Sequence, residues 1–184
     1  MGKLRLVSLK AWQLTIFIIP DDFAAGYSAR DEGMAYVFRT LRALRFPKAR
    51  TVAWAANSHV SRTQLIDGAT LPFGSARPFG SHLAAALGRN YVSFALTSNE
   101  AITDSTDLCY HFPAVEGSVE DRLSELGGEA LLVDLAFPGA RDPFLPPGRY
   151  PMGEEVFDLQ RHFNGVIYLE RSRAMNPLYG PPCR

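Results

Sequence analysis

The sequence predicts an α/β fold: a mostly parallel sheet of about four strands with helices on its faces. Short apolar runs at 51–56, 91–97, 130–135 and 165–169 read as strands, the first almost wholly apolar as in a strand covered on both faces and the third also buried. Segments with apolar residues at helical spacing separate those runs. The chain has 184 residues, 47% of them hydrophobic and 21% charged, which suits one compact core and is too short for two.

Leu4 to Ile19 reads as a helix closed by Pro20-Asp21-Asp22, and its later half is apolar nearly all round. Lys3, Arg5 and Lys10 ahead of Leu14–Ile19 loosely mimic a secretory signal. The basic residues are scattered, however, and Trp12-Gln13 interrupts the apolar block. The uninterrupted run is also far shorter than the roughly 20 residues of a membrane span. A core helix is the expectation, and its early start suggests a chain that begins midway through a larger fold. The clearest helix runs from Ala29 to Leu44, with Ser28 as its N-cap and Asp31 completing a variant capping box. Met34, Val37, Phe38, Leu41 and Leu44 form its apolar stripe, and Pro47 stops it.

The apolar run Thr51–Ala56 is the first expected strand, ending in Asn57-Ser58-His59. A long Gly- and Pro-containing connection leads to Pro78, and Ser81–Leu87 reads as a short helix before a strand at Tyr91–Thr97. Ser118 is expected to cap a helix to Leu126, ended by Gly127-Gly128. Ala130–Leu135 is the third buried strand, Phe137–Pro151 an irregular loop, Glu154–Phe163 a helix and Gly165–Leu169 the last strand. Pro177, Pro181 and Pro182 mark a loose tail. No internal repeat or linker divides the chain, so a single domain over residues 1–184 is expected.

Lys plus Arg and Asp plus Glu both total 19, a formal net charge of zero. No charge excess argues for nucleic acid or an anionic membrane, and neither is expected as a partner, although local patches stay open. The two cysteines, Cys109 and Cys183, form no C-x-x-C pair, which fits a reduced, cytoplasmic setting. The four histidines His59, His82, His111 and His162 have no metal-ligand spacing, and no metal site is expected. Neither a G-x-G-x-x-G nor a G-x-x-x-x-G-K-[ST] motif occurs, and no cofactor is expected. The G-x-S-x-G elbow of one serine-hydrolase class is also missing.

In open parallel sheets, ligands bind beyond the carboxyl ends of the strands. His59 alone among the histidines falls just past such an expected end, where an imidazole could act as general base or oxyanion donor. The plainer reading is a histidine that caps a loop. Arg30 falls in the middle of the stripe of Met34, Val37, Leu41 and Leu44, a costly place for a cation unless a carboxylate or ligand meets it. Asp31 reads first as a helix cap. His82, His111 and His162 read as structural, His162 on a surface helix.

These segments together resemble a known family. Ala29-Arg30-Asp31-Glu32-Gly33-Met34-Ala35 is similar to the Arg-Asp-x-x-Met-Ala helix start of erythromycin esterase-like proteins. Trp54-Ala55-Ala56-Asn57-Ser58-His59-Val60 resembles their strand-end motif Trp-Ala-His-Asn-x-His-Val. Phe79-Gly80-Ser81-His82-Leu83, then Tyr91-Val92-Ser93-Phe94, resemble the family's Met-Gly-x-x-Leu helix and the strand after it. Phe163–Leu169 is similar to its last strand. Order and spacing agree along nearly the whole chain, which would then be the C-terminal half of that fold.

The resemblance implies hydrolysis of carboxylic, macrolactone-type esters without a metal, through a histidine that activates water. It places His59 and Arg30 in catalysis and Asn57 and Asp31 at the substrate. Two departures imply an inactive or incomplete enzyme. Ala56 replaces the first histidine of the strand-end motif, and alanine cannot carry a proton. The Gly-Glu-x-x-His-Gly motif of the family's N-terminal half does not occur in the chain. The alternative is a non-catalytic small-molecule-binding or scaffold domain. A small-molecule ester is the expected ligand, and the apolar N-terminal helix is expected to favour self-association or a complementing chain.

Overall fold

The computed structural model describes residues 22–65, 75–105, 108–135, 145, 148–152 and 155–173. The expected Leu4–Ile19 helix, most of the connections after Leu65 and Leu135, and the proline tail lie outside the described residues. The chain divides into two compact units: Met1–Ser93 with Arg161–Phe163, and Phe94–Gln160 with Asn164–Arg184.

In the first unit, helix α1 spans Phe23–Arg45. It starts six residues earlier than the sequence predicts. Its N-cap is Asp22, whose carboxylate accepts from the Ala25 amide at 2.9 Å. Ser28, expected to be the cap, is already inside the helix and donates its hydroxyl to the Ala24 carbonyl at 2.7 Å. Arg42 and Arg45 face the negative end of the helix dipole, and the chain leaves helical geometry at Phe46, the residue before Pro47.

The buried face of α1 also differs from the expected stripe. Gly26, Tyr27, Asp31 and Ala35 are buried. Met34, Leu41 and Leu44 are 37%, 44% and 68% exposed. The core face is therefore shifted around the helix toward Asp31 and Ala35, while Phe38 of the expected stripe still packs against it. The small Ala35 side chain lets a second helix approach, α3 at Phe79–Leu87. Ala35, Phe79 and Leu83 form the buried cluster, with Phe38, Leu87 and Tyr91 packed around it. The Phe38 and Phe79 rings meet edge to face at 5.6 Å.

Between them lies the four-residue helix α2, Asn57–Val60. The run before it, 51–56, is not the expected strand. Val52 is 89% and Trp54 80% exposed. No described strand lies beside this stretch to take up its amides and carbonyls, so no ladder forms.

The second unit is built on a four-stranded sheet in the order β2-β1-β6-β3. These strands are β1 (Phe94–Ser105), β2 (Leu108–Pro113), β3 (Ala130–Asp134) and β6 (Gly165–Arg173). The α/β class and the strand number hold. The parallel pairing holds only for the central pair, β1 with β6, from Phe94↔Gly165 to Ile102↔Arg173. β2 is antiparallel to β1, joined through Ser105↔Leu108, and β3 is antiparallel to β6. β3 is an edge strand that alternates between exposed and half-buried residues, with Leu132 69% exposed, and is not covered on both faces.

Helix α4, Val119–Ser124, follows its expected Ser118 cap, whose hydroxyl accepts from the Asp121 amide at 3.2 Å, and lies against β1 and β6. Residues expected as loop and helix instead form a two-stranded hairpin, β4 (Arg149–Met152) with β5 (Glu155–Asp158). Only Leu159–His162 is helical, as α5. Tyr150 and Met152, outside the expected helix, and Phe157 and Leu159, within it, are all buried, so the apolar spacing is strand alternation that turns into one helical turn. No helix among the described residues is long and apolar enough to cross a membrane.

Candidate functional site

The site grows from two helices of the first unit. On α1, Tyr27, Arg30 and Asp31 stand at i, i+3 and i+4 and so share one face. His59 comes from α2, which is short and needs outside support. The Val60 carbonyl accepts from the Tyr91 hydroxyl at 2.7 Å and the Ser93 hydroxyl at 2.6 Å. Immediately after it, the Arg62 amide donates to the His162 carbonyl at 2.9 Å. The Ser61 hydroxyl lies 2.8 Å from His162 Nδ1. His162 is 2% exposed; its expected place on a surface helix is corrected to a buried brace under the segment that carries His59.

Around the His59 ring every distance is short. Nδ1 lies 2.7 Å from Asp31 Oδ2 and 2.9 Å from the Tyr27 hydroxyl. Nε2 lies 2.9 Å from Arg30 Nη2. Tyr27 stacks on the imidazole with ring centres 4.9 Å apart and planes 8° from parallel. The Arg30 guanidinium sits 4.9 Å over the same tyrosine ring, and its Nε is 3.4 Å from Asp31 Oδ1. Asp31 is completely buried, while the side chains of His59 and Arg30 are 18% and 34% exposed. The imidazole and guanidinium therefore form the accessible front of a cluster whose acid and phenol lie behind.

Arginine has donors and no acceptor, so the Arg30 contact requires Nε2 to accept. The ring proton then lies on Nδ1, toward Asp31 Oδ2 and the Tyr27 oxygen. With Nδ1 held toward the acid, Nε2 is the nitrogen able to take a proton, and in this arrangement its lone pair receives the Arg30 guanidinium, a group that can also stabilise a developing oxyanion.

The structure thus brings together three of the four residues singled out from the sequence: His59, Arg30 and Asp31. Asn57 opens α2 two positions before His59 and is half-buried. Ala56, just ahead of it, caps α2 with no side-chain hydrogen bond. Tyr27 was missed because it lies before the expected start of the helix. Its spacing to Arg30 and Asp31 carried the information. His82, on α3, has a buried Nε2 with no hydrogen-bond partner among the described residues. Burial, followed by the positive charge of Arg77, holds its pKa below the usual imidazole value. Among the described residues no group of three or more His, Cys, Asp or Glu is placed to hold a metal ion.

The chain is of the mixed α/β class, with a buried acid, an imidazole and a guanidinium in one chain of contacts. Comparison with known proteins names the family within it. The erythromycin esterase profile matches residues 13–179, and the chain belongs to that family. A crystal structure of a protein from Bacillus cereus is similar, with a TM-score of 0.66 at 18% identity over 84% of this chain and 40% of that one. A crystal structure of a succinoglycan biosynthesis protein is similar too, with a TM-score of 0.68 at 14% identity over 84% of this chain and 41% of the other. At such identities the likeness concerns the fold. This chain spans about two-fifths of the length of both. No curated protein matches.

Proposed function

We propose that this chain carries part of a site for carboxylic, macrolactone-type esters, and that it binds such a ligand without hydrolysing it efficiently. The observation behind the reading is the Asp31–His59–Arg30 chain of contacts, with Asp31 buried and the other two partly open. In the hydrolytic form of this chemistry, His59 Nε2 takes a proton from water as its oxygen attacks the ester carbonyl. Arg30 donates to the oxyanion, and collapse of the tetrahedral intermediate expels the alcohol, which recovers a proton from the imidazolium.

Two features favour weak turnover. Arg30 already donates into Nε2, so the base is occupied in this arrangement. Ala56 stands where the family resemblance places the first histidine of the strand-end motif, removing a group that could share the proton work. Loss of general-base assistance costs roughly 10² to 10⁴ in rate. The same features favour the second reading, a non-catalytic binding domain with Arg30 as its polar anchor.

The test is ester hydrolysis by the purified chain, with a p-nitrophenyl ester and a macrolactone as substrates. Turnover at the buffer background, unchanged by His59→Ala, is expected. Clear turnover abolished by His59→Ala would overturn the proposal. Titration of the macrolactone against the wild type and Arg30→Ala examines binding, which the substitution is expected to weaken at least tenfold.

A further inference from the structure

Asp31 joins three parts of the first unit through one side chain: α1, the His59 helix α2 and the start of α3. It is 0% exposed, yet each carboxylate oxygen has a role. Oδ2 accepts from the Phe79 amide at 2.7 Å and faces His59 Nδ1 at 2.7 Å, while Oδ1 lies 3.4 Å from Arg30 Nε. Phe79 is the first residue of α3, and the position before it is Pro78, which offers no side-chain cap. The first turn of a helix carries amides without internal partners, and an acceptor must come from elsewhere. It comes from α1. The sequence expectation that Asp31 caps a helix holds in kind, but the helix is α3 and not its own.

A carboxylate that receives both the Phe79 amide and the imidazole can only accept, so Nδ1 must donate. The guanidinium on the other side can only donate, so Nε2 must accept. We infer that Asp31 is a positioning residue that fixes the tautomer of His59 and ties the ring to the N-terminus of α3, holding Nε2 as the acceptor that faces Arg30. Only the use of Nε2 in ester chemistry rests on the proposed function. The tautomer is a property of the resting protein and is read without any ester.

Removing the guanidinium, alone and together with the carboxylate, makes the sharpest test. The Phe79 amide and His59 Nδ1 share one oxygen, Oδ2, so an asparagine would keep an oxygen toward both, whereas Asp31→Ala removes the acceptor. Nitrogen-15-labelled histidine in mildly alkaline buffer identifies the protonated nitrogen through long-range proton–nitrogen correlations. Wild type is expected to show His59 protonated at Nδ1. Arg30→Met leaves the α3 cap intact, and if Asp31 sets the tautomer, His59 stays protonated at Nδ1 when the guanidinium is gone. In the double variant Arg30→Met with Asp31→Ala the carboxylate acceptor is gone as well, and the proton is expected to move to Nε2, the form a free imidazole favours. A wild type protonated at Nε2, a shift to Nε2 in Arg30→Met, or a double variant still protonated at Nδ1 would each overturn the inference. Failure of the esterase assay leaves these outcomes untouched, which keeps the two proposals separable.

Discussion

In the first unit, α1 meets α3 through Ala35, Phe79 and Leu83, and single polar contacts add to that packing. One carboxylate caps α3 and orients His59, and one carbonyl, that of Val60, receives two hydroxyls. In the second unit, β1, β2, β3 and β6 hold one another through continuous ladders, with Ala95, Val119, Leu123, Val166 and Tyr168 buried. A ladder spreads its stabilisation over many repeated bonds, whereas point contacts concentrate it. Point contacts fix the orientation of one imidazole, and a change to a single partner can undo them.

Two glycines give the largest expected contrast. A Cβ at Gly80 would lie 2.4 Å from both the Val60 and Ser61 carbonyl oxygens, backbone atoms next to the His59 helix. Gly80→Ala is expected to cost about 3 kcal/mol or more, because neither neighbour can rotate away. At Gly165 the Cβ would meet a single backbone atom, the Val133 carbonyl oxygen, at 2.6 Å and the Phe94 ring at 2.7 Å; the ring is 40% exposed and able to turn, but the carbonyl gives only if the paired edge strand β3 shifts. Gly165→Ala is expected to cost about 2–3 kcal/mol, with both values read from urea denaturation. Equal losses would remove the contrast between the units.

The helix caps are the next smaller effect and should be alike in the two units. Asp22→Ala and Ser118→Ala are each expected to cost about 1 kcal/mol in the same measurement. A loss at Asp22 well below that at Ser118 would mean that α1 is held by its packing and not by its first turn.

The smallest effect is the pH response, which separates the units by sign. His82 in the first unit has a lowered pKa, so below about 6.5 the unfolded chain binds a proton that the folded one refuses. Stability therefore falls on acidification through that range, and His82→Gln flattens the fall. Tyr168 in the second unit has its pKa raised, first by burial and then by its hydrogen bond to Glu170 at 2.5 Å. Above about pH 10 the unfolded chain gives up that proton while the folded chain keeps it, so stability falls with rising pH. Tyr168→Phe removes this limb. Denaturation midpoints across pH, with hydrogen exchange to assign each limb to its unit, check both.

Much of the site was legible in the sequence because the chemistry is local. His59 stood out at the end of an apolar run, although that run forms no strand, and Arg30 stood out as a cation in an apolar helix. The face of α1 was read only in part, because Met34, Leu41 and Leu44 are the more hydrophobic set while the packed set includes the small Ala35 and the charged Asp31. Periodicity weighs side chains by hydrophobicity, and here close approach and a buried acid decided the face. β2 went unread because Leu108-Cys109-Tyr110-His111-Phe112-Pro113 mixes polar groups and a proline into a strand that pairs on one side only. The β4–β5 hairpin was hidden for a related reason: Pro151 sits inside β4, which argues against a strand unless it is an edge. The Asp31 link to α3 joins residues 48 positions apart and has no local signature.

The exposed indole at Trp54 has a practical consequence. It is one of two tryptophans in the chain and is 80% open to water, so its fluorescence should lie toward the long-wavelength end of the indole range. With Trp12 changed to phenylalanine, the emission colour becomes a label-free gauge of whatever lies against residues 51–56. A surface that dries the ring would draw the spectrum toward the blue.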